Sequence, residues 1–310
     1  MTTCRLIREL SRLRKSSSES IDNANSFADF KVYMHVVREV ETDLKELLAK
    51  VNEGNKKKLI LLCGSAGDGK SHLLSYLKNT DSEKLLDNIR IYNDATESSS
   101  PKKTAIETLN EKLNDFSDEK LSDEGDSLIL AINLGVLNNF IESDYGERFT
   151  RLKQYVIDNK ILQNYPVKYE FDQESPFHHV NFADYHLYSL TKDGPKSDFI
   201  MSLMKKIYGD NNDNPFYKAC REECGSCSLK MKCPVRYNYL FLSTQEMMDY
   251  VSKLLIKTSI KEKDVLTTRE VLNYLYDVTV PQDFTKHDLS KKVNTNGNCI
   301  KYFLNSITPS

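Results

Sequence analysis

Glycine is scarce in this sequence, 11 residues of 310, proline is limited to 8, and tryptophan is absent. Such a composition excludes collagen-like and glycine- or proline-rich low-complexity chains. Long apolar runs are missing too: the longest, residues 59–63 and 128–132, have five residues each, against the ~20 that a membrane-crossing helix needs. No excess of positive charge is present, since 43 basic residues face 45 acidic ones for a net charge of -2. The chain therefore has no overall field to hold a nucleic-acid backbone, and any DNA contact must be local. The first twenty residues carry Arg5, Arg8, Arg12, Arg14 and Lys15 but no apolar stretch of the kind a secretory signal requires.

Hydrophobic residues make up 39%, with 17 Tyr and 13 Phe, enough to build a core of one large domain or two modest ones. Seven cysteines without a secretory signal point to a reducing, cytoplasmic setting, in which clustered thiols bind metal rather than pair. Three of the eleven glycines, Gly64, Gly67 and Gly69, fall within six residues.

Hydrophobic spacing divides the chain into three expected regions. Residues 1–54 read as a helical prefix, with Tyr33, Val36, Val37, Val40, Leu44, Leu47, Leu48 and Val51 near helical spacing over 30–51. Residues 55–195 alternate strand candidates at 59–63, 89–93, 128–133 and 180–182 with helical stretches at 104–113, 136–141 and 148–157. That alternation predicts an α/β fold, a parallel sheet with helices on both faces. The acid-rich segment 114–127 reads as a solvated surface loop. Residues 196–310 turn helical at 200–207, 245–256 and 269–276, which predicts a helical lid carrying a four-cysteine knuckle.

Residues 64–71, Gly64-Ser65-Ala66-Gly67-Asp68-Gly69-Lys70-Ser71, match the nucleoside-triphosphate phosphate loop G-x-x-x-x-G-K-[ST]. The loop follows an apolar strand and opens a helix, so its backbone N–H groups and the helix N-terminus are expected to face phosphates. Lys70 is the expected β/γ-phosphate ligand and Ser71 the Mg²⁺ ligand, with ATP the expected nucleotide. An acid at the end of a neighbouring strand is also needed to hold Mg²⁺. The strand 128–133 ends instead in Asn133, and an amide can neither neutralise the metal nor act as a base. Asp94, after the strand 89–93, is therefore preferred as the metal-side carboxylate, with Asn133 as a γ-phosphate sensor. The alternative is that Asn133 itself faces the magnesium. Asn181 and Asp184, after the fourth strand, are candidates for touching the γ-phosphate or water, or else turn residues. Arg269 is a candidate phosphate sensor on the lid, and Arg148 or Arg151 a candidate arginine finger.

Four cysteines lie within fourteen residues, Cys220-x3-Cys224-x2-Cys227-x5-Cys233. Four thiolates at this spacing can converge on one tetrahedral ion, and zinc is the expected occupant. An iron–sulfur cluster is the alternative, because Pro234 follows the last cysteine. Lys230, Lys232 and Arg236 form a local basic patch. Cys4, Cys63 and Cys299 stand apart in the sequence.

The phosphate loop extended through His72-Leu73-Leu74, the run Asn93-Asp94-Ala95-Thr96-Glu97, the stretch Ala131-Ile132-Asn133-Leu134-Gly135 and the cysteines ending in Cys233-Pro234 together resemble the DptF family. These are P-loop ATPase-like components of DNA phosphorothioation-dependent restriction systems. The resemblance runs from about residue 30 to residue 280. It implies ATP binding that includes His72, a role in antiviral defence beside DptG and DptH, and engagement of DNA through those partners. It also implies that this chain is short for the family. Two functions remain open: an ATP-hydrolysing subunit, and a non-hydrolysing scaffold favoured by Asn133. A P-loop kinase finds no acceptor-binding motif.

Overall fold

The computed structural model describes residues 4–17, 25–80, 84–93, 104–163 and 170–281. In chain order its elements are α1 (Arg5–Ser17), α2 (Asn25–Met34), α3 (Glu39–Asn52), β1 (Leu59–Gly64), α4 (Lys70–Thr80), β2 (Ile89–Tyr92), α5 (Ala105–Lys112), β3 (Ser127–Asn133), α6 (Leu134–Ile141), α7 (Thr150–Asp158) and β4 (Phe177–Asn181). They continue with β5 (Ser189–Thr191), β6 (Gly194–Lys196), α8 (Asp198–Tyr208), α9 (Pro215–Ser226), α10 (Pro234–Leu242), α11 (Gln245–Glu262) and α12 (Thr268–Thr279). The chain divides into a sheet unit, Val37–His186, and a helical unit that joins Met1–Val36 to Leu187–Ser310.

The units change at residues 36 and 186, beside the boundaries expected after residues 54 and 195. Val40, Leu44, Leu47, Leu48 and Val51 of α3 share a core with Ile60, Leu62 and Val180, so α3 belongs to the sheet unit. Helix α1 instead packs on α9 and α12, with Leu6, Leu10 and Leu13 fully buried. The single helix expected over 30–51 is two helices, broken between Met34 and Glu39.

In the sheet unit four parallel strands run in the order β2-β3-β1-β4. Every residue of β1 is buried, as a strand covered on both faces requires. Leu59, Leu61 and Cys63 face one layer with Leu128, Leu130 and Ile132, against apolar residues of α5, α6 and α7. Ile60, Leu62, Ile129 and Ala131 face the other, against α3 and α4. The period of two along each strand thus assigns its residues to two cores in turn.

The acidic segment 114–127 is more than a solvated loop. Phe116 is fully buried, and Asp118 accepts hydrogen bonds from the Thr150 amide (2.8 Å), the Thr150 hydroxyl (2.6 Å) and the Arg151 amide (3.1 Å). Phe149, the residue before α7, cannot cap it, so a carboxylate from a distant loop serves the first amides of that helix. Burial raises the Asp118 pKa, but the bonds from Thr150 and Arg151 outweigh it and the net shift is downward. Asp118→Ala is expected to cost about 1–2 kcal/mol, read as a lower urea midpoint with an unchanged slope.

In the helical unit, two buried tyrosines tie helices together. Tyr208 Oη lies 2.8 Å from Thr279 Oγ1 and 3.1 Å from Leu275 O, and Tyr239 Oη donates to Ile207 O at 2.8 Å. Asn214 caps α9 through Phe216 N (2.8 Å) and Tyr217 N (3.1 Å) and donates back to Ile207 O and Gly209 O. No described helix is long and apolar enough to cross a membrane.

Candidate functional site

Parallel strands bring their carboxyl ends to one edge, where open α/β sheets commonly place ligands. Here Gly64 pairs with Asn133, Cys63 pairs with Asn181, and Asn93 follows β2, so all four chain segments end on the same edge. The glycine-rich loop runs from Gly64 to the start of α4 at Lys70.

Glycine is required in the loop for two reasons. Gly67 and Gly69 have φ of +89° and +103°, which L side chains rarely adopt. A Cβ on Gly64 would lie 2.9 Å from the Phe182 Cβ and 2.7 Å from the Asp68 carboxylate. The Ser65 amide donates to Asp68 Oδ2, so an internal carboxylate is bound where the loop offers N–H groups. Lys70 donates from Nζ to Gly64 O (3.0 Å) and Ser65 O (2.7 Å), which folds its ammonium over the loop. The Ser71 hydroxyl donates to Asn93 Oδ1 at 2.9 Å, bringing the end of β2 against the first turn of α4. Ser65 and Ala66 are exposed, and His72 is partly exposed on that same turn.

Asn133 caps α6, its Oδ1 accepting from Gly135 N at 2.9 Å. That bond fixes the amide orientation and leaves Nδ2 as a donor, suited to a phosphate oxygen rather than a metal ion. Asn181 is 4% exposed; its Oδ1 accepts from Ala183 N at 3.2 Å and its Nδ2 lies 3.4 Å from Ile161 O. Both ends of that side chain serve the fold, which favours the turn role. Asp184 is partly buried, and burial raises its pKa. Burial likewise pushes the Cys63 thiol up to about 12, with Lys70 acting in the lowering direction and Asp184 in the raising one. Asp94 lies outside the described residues, as does Cys299.

Two arginine expectations resolve differently. Arg148 donates to Asn110 Oδ1 and Asn114 Oδ1, both at 2.9 Å, within the sheet unit. Arg269 sits on the first turn of α12 in the helical unit, behind a Thr267–Glu270 capping box. One residue that sequence reasoning missed is Arg38. Its Nη1 donates to Asp68 O (3.1 Å), its Nη2 donates to Tyr185 O (3.2 Å), and its guanidinium lies 5.2 Å from the Phe182 ring centroid. Arg38 thereby holds the loop against the turn that follows β4.

The cysteines occupy the helical unit. Cys220 and Cys224, one turn apart on α9, are buried, while Cys227 is exposed at the end of that helix and Cys233 precedes α10. Among the described residues no group of three or more His, Cys, Asp and Glu side chains is gathered into a metal shell. Cys227 is the exposed C-cap of α9, and Cys233 is partly buried.

No protein-family model and no curated protein matches the chain. What the chain does must therefore be argued from its own residues.

Proposed function

We propose that the chain binds ATP with Mg²⁺ at Gly64–Ser71 and hydrolyses it, as the nucleotide-dependent subunit of a DNA phosphorothioation-dependent restriction complex like that of the DptF family. DptG- and DptH-like partners, and DNA through them, would receive the change. The observation that carries the nucleotide reading is the loop itself. It joins an interior parallel strand to a helix N-terminus, with Gly67 and Gly69 at positive φ and the Lys70 ammonium folded over it.

The roles follow from chemistry. Backbone amides of 65–71 cradle the phosphates, Lys70 supplies a point charge, and Asn133 Nδ2 offers a hydrogen bond to a terminal phosphate oxygen. Mg²⁺ would be held by Ser71 and Asp94, the residue after Asn93, and supplies neutralisation of phosphate charge. Arg269 remains the candidate sensor of nucleotide state in the helical unit.

A second reading, a non-hydrolysing scaffold, draws on Asn133 standing where a carboxylate would polarise water. Phosphate release from ATP decides between them, with Asp94→Asn as the control. Turnover that Asp94→Asn lowers at least ~100-fold supports hydrolysis; ATP binding without turnover, with partners and DNA present, supports the scaffold. Absence of ATP binding refutes both.

The cysteines form the second ligand site of this proposal, for zinc or alternatively an iron–sulfur cluster. What supports it is the donor chemistry: Cys220 and Cys224 lie buried one turn apart on α9, and thiols are the ligands that such an ion or cluster takes.

A further inference from the structure

Lys230 and Lys232 lie on the stretch that joins α9 to α10, and Arg236 on the first turn of α10. From residue 224 to residue 245 the sequence contains no Asp or Glu, although acids make up 45 of its 310 residues. The two acids just before it are already engaged: Arg5 Nη1 donates to Glu222 Oε2 at 2.7 Å and the Arg5 amide to Glu223 Oε2 at 3.1 Å. The local charge is therefore positive. The same bias holds for the whole helical unit, which has twenty-four basic and eighteen acidic residues where the sheet unit has nineteen and twenty-seven. The net charge of -2 thus conceals an opposite excess in each unit.

Apolar side chains stand among these cations. Helix α10 buries the stripe Val235, Asn238, Tyr239 and Leu242, and Asn238 Nδ2 holds that face to α12 by donating to Val278 O (3.2 Å) and Thr279 O (3.3 Å). The outward face of such a helix is ordinarily polar. Here it carries Tyr237, Leu240 and Phe241, all exposed, with Met231 of the preceding turn exposed as well. That turn is ordered by its own bonds: Lys230 N donates to Cys227 O (3.1 Å), Lys232 N to Leu229 O (2.8 Å) and Tyr237 Oη to Met231 O (3.4 Å). The Arg236 guanidinium carbon lies 5.9 Å from the Tyr237 ring centroid, so a cation and an aromatic ring stand side by side.

We propose that this surface, Tyr237 and Phe241 with Lys230, Lys232 and Arg236, binds single-stranded DNA directly. The inference rests on the reading of the chain as part of a DNA restriction complex, and adds to it a contact on the chain itself. Phosphates answer the cations, and unstacked bases answer the aromatic rings. Tyr237 and Phe241 are four positions apart on α10, so both rings serve one face. A duplex satisfies only the cations, because its bases are already stacked on one another. A protein partner matches the surface less well, since lysine is depleted in protein interfaces and is an ordinary phosphate contact.

The test is fluorescence anisotropy of a labelled single-stranded oligothymidylate, and of a duplex of the same length, titrated with the full chain over a range of salt. The single strand is expected to bind more tightly, with a slope of log affinity against log salt of about -2, as three neutralised phosphates require. Tyr237→Ala and Phe241→Ala should each weaken binding at least ~5-fold at unchanged slope, because base stacking releases no counterions. Lys230→Ala combined with Lys232→Ala should make the slope shallower by about 0.7 per lysine. Tyr237→Phe keeps the ring and should bind as the wild type does. A thermal melt checks the fold of each variant, and calorimetry is expected to find wild-type ATP affinity in all four, which separates failure here from failure of the phosphate loop. No binding, preference for the duplex, or an affinity unmoved by either ring substitution overturns the proposal. Release of a partner protein by the ring substitutions, with single-strand affinity unchanged, assigns the surface to that protein and overturns it too.

Discussion

Lys70→Ala is expected to lower the affinity for ATP at least ~10-fold and to remove any turnover, while leaving the fold intact. A hydrogen bond from a charged donor contributes about 1.5–3 kcal/mol, or roughly 10–150-fold in affinity. In the loop the Lys70 ammonium donates to Gly64 O and Ser65 O in partly exposed surroundings. Losing those bonds therefore affects stability little, whereas a bound triphosphate loses its nearest cation. Lys70→Arg is not a conservative rescue, because a planar fork replaces a compact point charge. Titration calorimetry with ATP, beside a thermal melt of each variant, separates the two effects. Unchanged ATP affinity in Lys70→Ala would remove the phosphate loop from the function.

Acid is expected to unfold the sheet unit through two adjacent histidines of β4. His178 is fully buried and stacks on Phe171 at 4.8 Å between centroids, and His179, 4% exposed, has Nδ1 2.8 Å from the Tyr155 hydroxyl. Burial lowers both to about 4 from the ordinary 6.5. For His178, Lys58 and His179 act in the same direction, and Asp172 and the backbone at Ser175 oppose them. The sign follows from proton counting. Below pH 6.5 the unfolded chain takes up protons that the folded chain refuses until about pH 4, so stability is full above 6.5 and is lost as pH falls between those values. Each histidine contributes up to about 3 kcal/mol to that loss. His178→Phe keeps the aromatic stack and should roughly halve the slope of stability against pH; an unaltered slope would assign acid sensitivity elsewhere.

The parts of the fold that were legible in the sequence are those where one physical demand dominates. Buried parallel strands must be apolar on both faces, so 59–63 and 128–133 stood out, and the strand that follows each break placed Asn133 and Gly64 together. The break between α2 and α3 was not legible, because Val36, Val37 and Val40 continue the helical spacing through it. What the pattern hides is the job of Arg38, held out of the helix to reach Asp68 and Tyr185. Helices α9 and α10 flank the cysteine-rich stretch and carry ordinary start signals, Pro215 and Pro234 at their first positions and Asn214 before α9. By contrast, the packing of α1 on α9 has no sequence signature, since no spacing relation links the two helices.

That packing has a consequence for the order in which the molecule is made. The sheet unit is continuous in sequence, so it can close as soon as His186 has left the ribosome. Helix α1 is synthesised before α9, which follows about 210 residues later, a delay of about 10–40 s at ordinary rates of elongation. Throughout that interval Leu6, Leu10 and Leu13 have no native surface to cover them. An early segment is thus seated late, and the nascent chain carries an exposed apolar stripe of the kind that holding chaperones bind.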